Sequence, residues 1–193
     1  RGRAALGCRV KSGSATVVLV TGSARVPRVL DRRVIDLSDA SVPGSRQPYH
    51  AVMYARRADR SSLERRLRSL VERVTRASLA QLLAAYRGEG HAVRSVALVV
   101  GSVIDPARIG NDHIRAHALE GQLFRTVLEG AVRRARLPCA THLERGLYDR
   151  AAARLRRPRA RLKRLVTELG RALSPWRADE KTAALAAWMA LGR

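Results

Sequence analysis

The side chains best placed by type and spacing to do chemistry are a few acids and histidines. Asp179 and Glu180 are adjacent in ADEKTAALAAWMAL, where the pattern predicts the start of a helix. Carboxylates there can ligate a divalent cation, or they can complement the positive end of the helix macrodipole. A second group is Asp112, His113, His117 and Glu120. Its spacing places the two imidazoles and the Glu120 carboxylate on one helix face. Two histidines four apart can share a metal, and a carboxylate one turn on can be a third ligand. The H-E-x-x-H signature is absent, and a partly buried Glu120 paired with an arginine accounts for the same spacing. We expect Glu120 over a sheet near Arg9 or Lys11, as a charge-compensated pair. His142 and Glu144 close the predicted fifth strand, where hinge or capping roles suffice, and Asp105 lies in the loop after the fourth. No P-loop, dinucleotide fingerprint or Ser-His-Asp spacing is visible.

Cations dominate the rest. Lys+Arg number 38 against 16 Asp+Glu, a formal charge of +22, and lysine occurs only at Lys11, Lys163 and Lys181. Such a charge repels itself unless a polyanion or counterions screen it, and the arginine fork suits phosphate. The densest block is Arg145, Arg150, Arg154, Arg156, Arg157, Arg159, Arg161, Lys163 and Arg164, opposed locally by Glu144 and Asp149. A second row is Arg57, Arg60, Arg65, Arg66, Arg68, Arg73 and Arg76. The expected partner is nucleic acid held by backbone phosphates. Aromatics are only 4%, which favours duplex or structured nucleic acid over stacked single strands. A compositional bias toward Arg and Ala, or an acidic protein partner for a basic scaffold, is the competing account. No apolar run is long enough to span a bilayer and no signal-like segment opens the sequence, so a cytoplasmic location without membrane contact is expected. Cys8 and Cys139 read as free thiols.

The elements that must position these groups follow from periodicity. Val-, Leu- and Ile-rich runs at 5–10, 15–20 and 28–37, separated by Gly-containing turns, predict a β-meander over 4–37. The segment 38–50 reads as a loop, with Arg46 and Tyr49 as ligand candidates or Tyr49 and Pro48 as packing. Leu63, Leu67, Leu70 and Val74 predict one helix over 51–86. A continuous apolar strand follows at 93–104, then a helix over 113–136 capped by Asp112, with Ala116, Leu119, Leu123, Val127 and Ala131 as its buried stripe. A short strand at 139–143 and helices near 146–155, 158–172 and 178–191 complete the order. With 46% hydrophobic residues, the 193-residue chain can bury one core. The expectation is a single α/β domain over 1–193: a meander (4–37), then αβαβα (51–191), giving a mixed five-stranded sheet with helices on both faces.

This order resembles the ribonuclease H-like superfamily, and its second half resembles RuvC-type Holliday-junction resolvases. The stretches carrying the resemblance are VALVVGSVI, HALEGQLFRTVLEGAVRRARLPC and ADEKTAALAAWMAL. RAAARLRRPRARLKRLVTELG lies where that family has a basic DNA-facing segment. The resemblance implies a ribonuclease H-like fold, a nucleic-acid partner and a homodimer. For an active nuclease it also implies Mg²⁺ or Mn²⁺ held by converging carboxylates. Glu120, Asp179 and Glu180 are the catalytic candidates, with Asp105 as a further acid. In the first strand, however, the family's acid position corresponds to Arg9 or Lys11, and no acid precedes Asp105 in the fourth. The expected function is therefore nucleic-acid binding without standard two-metal cleavage. A metal-dependent, structure-selective endonuclease is the alternative.

Overall fold

The computed structural model describes residues 3–191; positions 1–2 and 192–193 of the expected domain lie outside them. Five strands form one mixed sheet in the order β3-β2-β1-β4-β5. β1 (Arg3–Lys11), β2 (Ser14–Gly22) and β3 (Pro27–Asp36) make the antiparallel meander, and β4 (Ala92–Val100) and β5 (Cys139–Leu143) run parallel to β1. Gly13, at φ +81°, makes the tight β1–β2 turn that other residues adopt only with strain.

Alternation along β1 sorts its side chains onto two faces. Ala4, Leu6, Cys8 and Val10 join the core beneath α2 (Arg60–Gly88) and α3 (Asp112–Arg134). Ala5, Gly7, Arg9 and Lys11 face the other way, toward α6 (Ala178–Leu191), which packs with α4 (Leu147–Leu155) and α5 (Arg159–Leu169). α6 is buried on nearly all sides, as its alanine-rich sequence permits. It lies so close to β1 that a Cβ on Gly7 would stand 1.8 Å from the Ala183 carbonyl oxygen. Among the described residues no helix is long and apolar enough to cross a membrane.

Four local expectations are corrected. The predicted helix over 51–86 is two: α1 (Pro48–Tyr54) begins inside the expected loop, with proline in its first turn, and extended backbone at Ala55 and Arg56 separates it from α2. The Arg60 side chain donates to the carbonyls of Met53 and Ala55, satisfying groups that the break leaves open. β4 ends at Val100, because Gly101 to Ile104 are exposed and have no core to face. Asn111, not Asp112, caps α3, its side chain accepting from the Ile114 N–H at 3.0 Å, while Asp112 pairs with Arg115. The buried stripe of α3 is Ala116, Glu120, Leu123, Phe124, Leu128, Ala131 and Val132, so Leu119 and Val127 lie at its margin.

Candidate nucleic-acid interface and the charge cluster at the strand ends

β1 delivers Arg9 and Lys11 to the C-terminal end of the sheet on the α6 side. The end of β5 delivers Glu144 there, and the first turn of α6 delivers Asp179. Arg9 donates to Glu144 Oε2 at 2.6 Å, to the Val10 carbonyl at 2.8 Å, and stands 3.9 Å from Asp179 Oδ1. Lys11 Nζ donates to Asp179 Oδ2 at 2.6 Å. Two carboxylates thus converge on the guanidinium of Arg9, whose side chain is only 10% exposed. Glu180 has a different task. Its Oε2 accepts from the Arg177 backbone N–H at 2.9 Å, the reciprocal half of a capping box, and its Oε1 accepts from Arg32 on β3 at 3.2 Å. Asp105 caps a short turn by accepting from the Ala107 N–H.

The expected pairing of Glu120 with Arg9 or Lys11 does not occur. α3 covers the sheet face opposite α6, so alternation sends the two cations of β1 away from Glu120. Its partner is His50 of α1: Oε1 lies 2.8 Å from His50 Nδ1 and 3.2 Å from the His50 backbone N–H. His117 Nδ1 is 3.9 Å from Oε2, an atom that is buried and has no hydrogen bond. His50 Nε2 lies 3.2 Å from His113 Nδ1, and the three rings pack with centroids 4.3–4.7 Å apart. His50 was not singled out by the sequence. It stands 63 residues from His113, and no local spacing links them. Burial of Pro48 and His50 beside the half-buried Tyr49 marks this segment as packed rather than looped.

The sheet therefore does not gather Glu120, Asp179 and Glu180 into one carboxylate site. At the strand ends on the α6 side stand the organic cations Arg9 and Lys11, neutralised by Glu144 and Asp179. These residues do not fit a two-metal centre, since a guanidinium cannot ligate a metal and repels one. Between the two faces, at the strand ends, lies a cleft of about 460 Å³ whose walls include Arg9, Lys11, Arg46, Ser102 and His117.

The basic block runs along the outer side of the α6 layer. α4 starts beside the end of β5, where Arg150 reaches the Leu143 carbonyl, and finishes near the β2–β3 turn, where Arg157 donates to the Arg25 carbonyl at 2.9 Å. Arg154 donates to the Met189 carbonyl and Arg159 pairs with Asp149. Lys163 lies 5.9 Å from the centre of the Tyr148 ring. Arg145, Arg156, Arg161 and Arg164 are exposed and have no side-chain partner among the described residues. The second arginine row, apart from Arg57 in the turn just before it, lies on α2, across the sheet from α4 and α5, so the two rows do not form one continuous face.

No protein-family model matches the sequence, and no curated protein matches it. Among solved structures the chain is similar to RuvC of Thermus thermophilus in complex with a Holliday junction substrate. The identity is 14% and the TM-score 0.56, over 97% of this chain and 91% of that one. A second T. thermophilus RuvC structure gives 12% and 0.55, over 96% and 92%. At such identities the likeness is one of fold, and it agrees with the sheet order and helix layers described above. The chain has a RuvC-like, ribonuclease H-like α/β fold: a mixed five-stranded sheet with helices on both faces.

Proposed function

We propose that the protein binds duplex or structured nucleic acid through backbone phosphates and does not cleave it by two-metal chemistry. The observation that carries the second half is the guanidinium of Arg9 standing between Glu144 and Asp179. The first half rests on Arg145, Arg156, Arg161 and Arg164, exposed and unpaired on the α4–α5 side. An ordinary solvated face would carry acids among its arginines. Here nine cations between 145 and 164 are answered by Asp149 alone within that span. The fold likeness to a resolvase bound to a Holliday junction makes a four-way junction the first substrate to try.

Labelled junction, duplex and single-stranded DNA and RNA are titrated with protein at several salt concentrations, then incubated with Mg²⁺ or Mn²⁺. Binding to branched or duplex substrates is expected, with a log–log salt slope of about −0.9 per phosphate neutralised on duplex DNA. The substrates should stay intact. Cleavage that Asp179→Asn abolishes would replace this reading with a metal-dependent endonuclease. Absence of binding even at low salt would leave a basic scaffold that meets an acidic protein.

A further inference from the structure

We propose that His50, His113 and His117 bind one zinc ion, with Glu120 orienting His50 and a fourth coordination position open to solvent. This inference is independent of the nucleic-acid reading. The three ligand nitrogens all lie within 4.8 Å of one another. Two nitrogens on a tetrahedral zinc, each about 2.0–2.1 Å from the metal, lie about 3.3–3.4 Å apart. His50 Nε2 and His113 Nδ1 are 3.2 Å apart before any ion is added. The carboxylate fixes the chemistry of that pair. With Nδ1 engaged by Glu120 Oε1, Nε2 of His50 faces His113 Nδ1. An imidazole–imidazole hydrogen bond holds two nitrogens at that distance, and so does a metal ion bound by both.

Glu120 supplies the second observation. It is fully buried, it has no arginine or lysine partner among the described residues, and its Oε2 has no hydrogen bond to them. A buried carboxylate held by imidazoles and one backbone N–H lacks the compensating charge that Asp179 and Glu180 receive from Lys11 and Arg32. A divalent ion on the three rings would provide it. The resulting carboxylate–histidine–zinc relay is a common way to fix a ligand's tautomer and raise its basicity. Imidazole donors without a thiolate suit zinc, and His113 and His117 are exposed, so an ion can enter and a water can hold the fourth place. The bond from His50 would tie α1, seven residues long and followed by a break, onto α3.

Untagged protein is stripped with a chelator and titrated with Zn²⁺ against a chromophoric competitor. Co²⁺ substitution reports coordination through its visible absorption. The expected result is one zinc per chain and a four- or five-coordinate cobalt spectrum. His113→Gln and His117→Gln, both at exposed positions that do not threaten the fold, should each weaken binding by more than the roughly 10–100-fold expected for losing the Glu120 carboxylate. His91, between α2 and β4 and outside the cluster, is the control: His91→Asn should leave binding unchanged. Zinc binding no stronger in the parent than in the His113→Gln/His117→Gln double variant would overturn the proposal and leave the cluster as hydrogen-bonded imidazoles.

Discussion

Replacing Arg9 with methionine removes the cation on which Glu144 and Asp179 converge while keeping a long side chain in its place. The two pairs differ in geometry: Arg9 meets Glu144 at 2.6 Å and Asp179 only at 3.9 Å. Breaking a fully buried pair costs about 3–5 kcal/mol, and an exposed pair is worth about 1 kcal/mol or less. Here the arginine is 10% exposed but the acids are 40% and 29% exposed, and Lys11 continues to hold Asp179. Water therefore screens the orphaned carboxylates in part, which puts the expected loss at about 2 kcal/mol. For a domain of this size that corresponds to about 4–8 °C in melting temperature. Thermal unfolding followed by circular dichroism measures it, with Arg9→Lys as a partial rescue. A loss below about 0.5 kcal/mol would mean that the cluster is a screened surface pair and has no structural hold on the strand ends.

Three further outcomes follow from the geometry. Changing Arg156, Arg161 and Arg164 to glutamine together should weaken binding to duplex and to branched substrates alike. It should also flatten the salt slope by up to about 0.9 per lost phosphate contact, read from anisotropy titrations over a salt series. Gly7→Ala should cost about 3 kcal/mol in denaturant unfolding, because its Cβ would stand 1.8 Å from the Ala183 carbonyl oxygen and α6 would have to move; an unchanged midpoint would refute the close packing of α6 on β1. The Cys8 thiol is pushed well above the ordinary thiol range, first by burial and then by its neighbour Cys139. It should stay unlabelled by a thiol reagent at pH 8 in the folded protein and react on unfolding, as mass spectrometry of the labelled peptides would show.

The parts of the fold that were legible are those with strong local signals. Val-, Leu- and Ile-rich runs marked the first four strands, the short segment after Pro138 marked the fifth, and the adjacent Asp179 and Glu180 marked the start of α6. The side each residue faces was less legible, although half of the information was present. Arg9 and Lys11 share parity with the small residues Ala5 and Gly7, and small residues on one strand face signal a closely packed helix. Reading that parity would have sent the cations toward Asp179 and away from Glu120. The buried stripe of α3 was misread by one position because Leu119 and Val127 look like core residues, whereas Glu120 does not. A buried carboxylate is tolerated there only because a partner comes from α1. That partner could not be foreseen, since the contact spans 70 residues and depends on tertiary packing alone.

The two faces of the sheet answer a similar electrostatic problem in opposite ways, and this yields a last prediction that separates them. On the α6 face, Glu144 and Asp179 are matched by Arg9 and Lys11, so these two acids are already engaged and do not present a hard cation with free carboxylates. On the α3 face, Glu120 is matched only by imidazoles and retains an unpartnered oxygen. Magnesium should therefore leave the melting temperature of the parent protein unchanged, while zinc should raise it. In Arg9→Met the vacated position lies between two carboxylates, and magnesium at about ten times its dissociation constant would restore about 1.4 kcal/mol. The zinc response should persist in that variant, because its ligands lie across the sheet. Parallel melts of both proteins in each metal test the pattern. A magnesium response in the parent would show that Arg9 and Lys11 do not close the strand-end site, and would reopen the case for metal-dependent cleavage there.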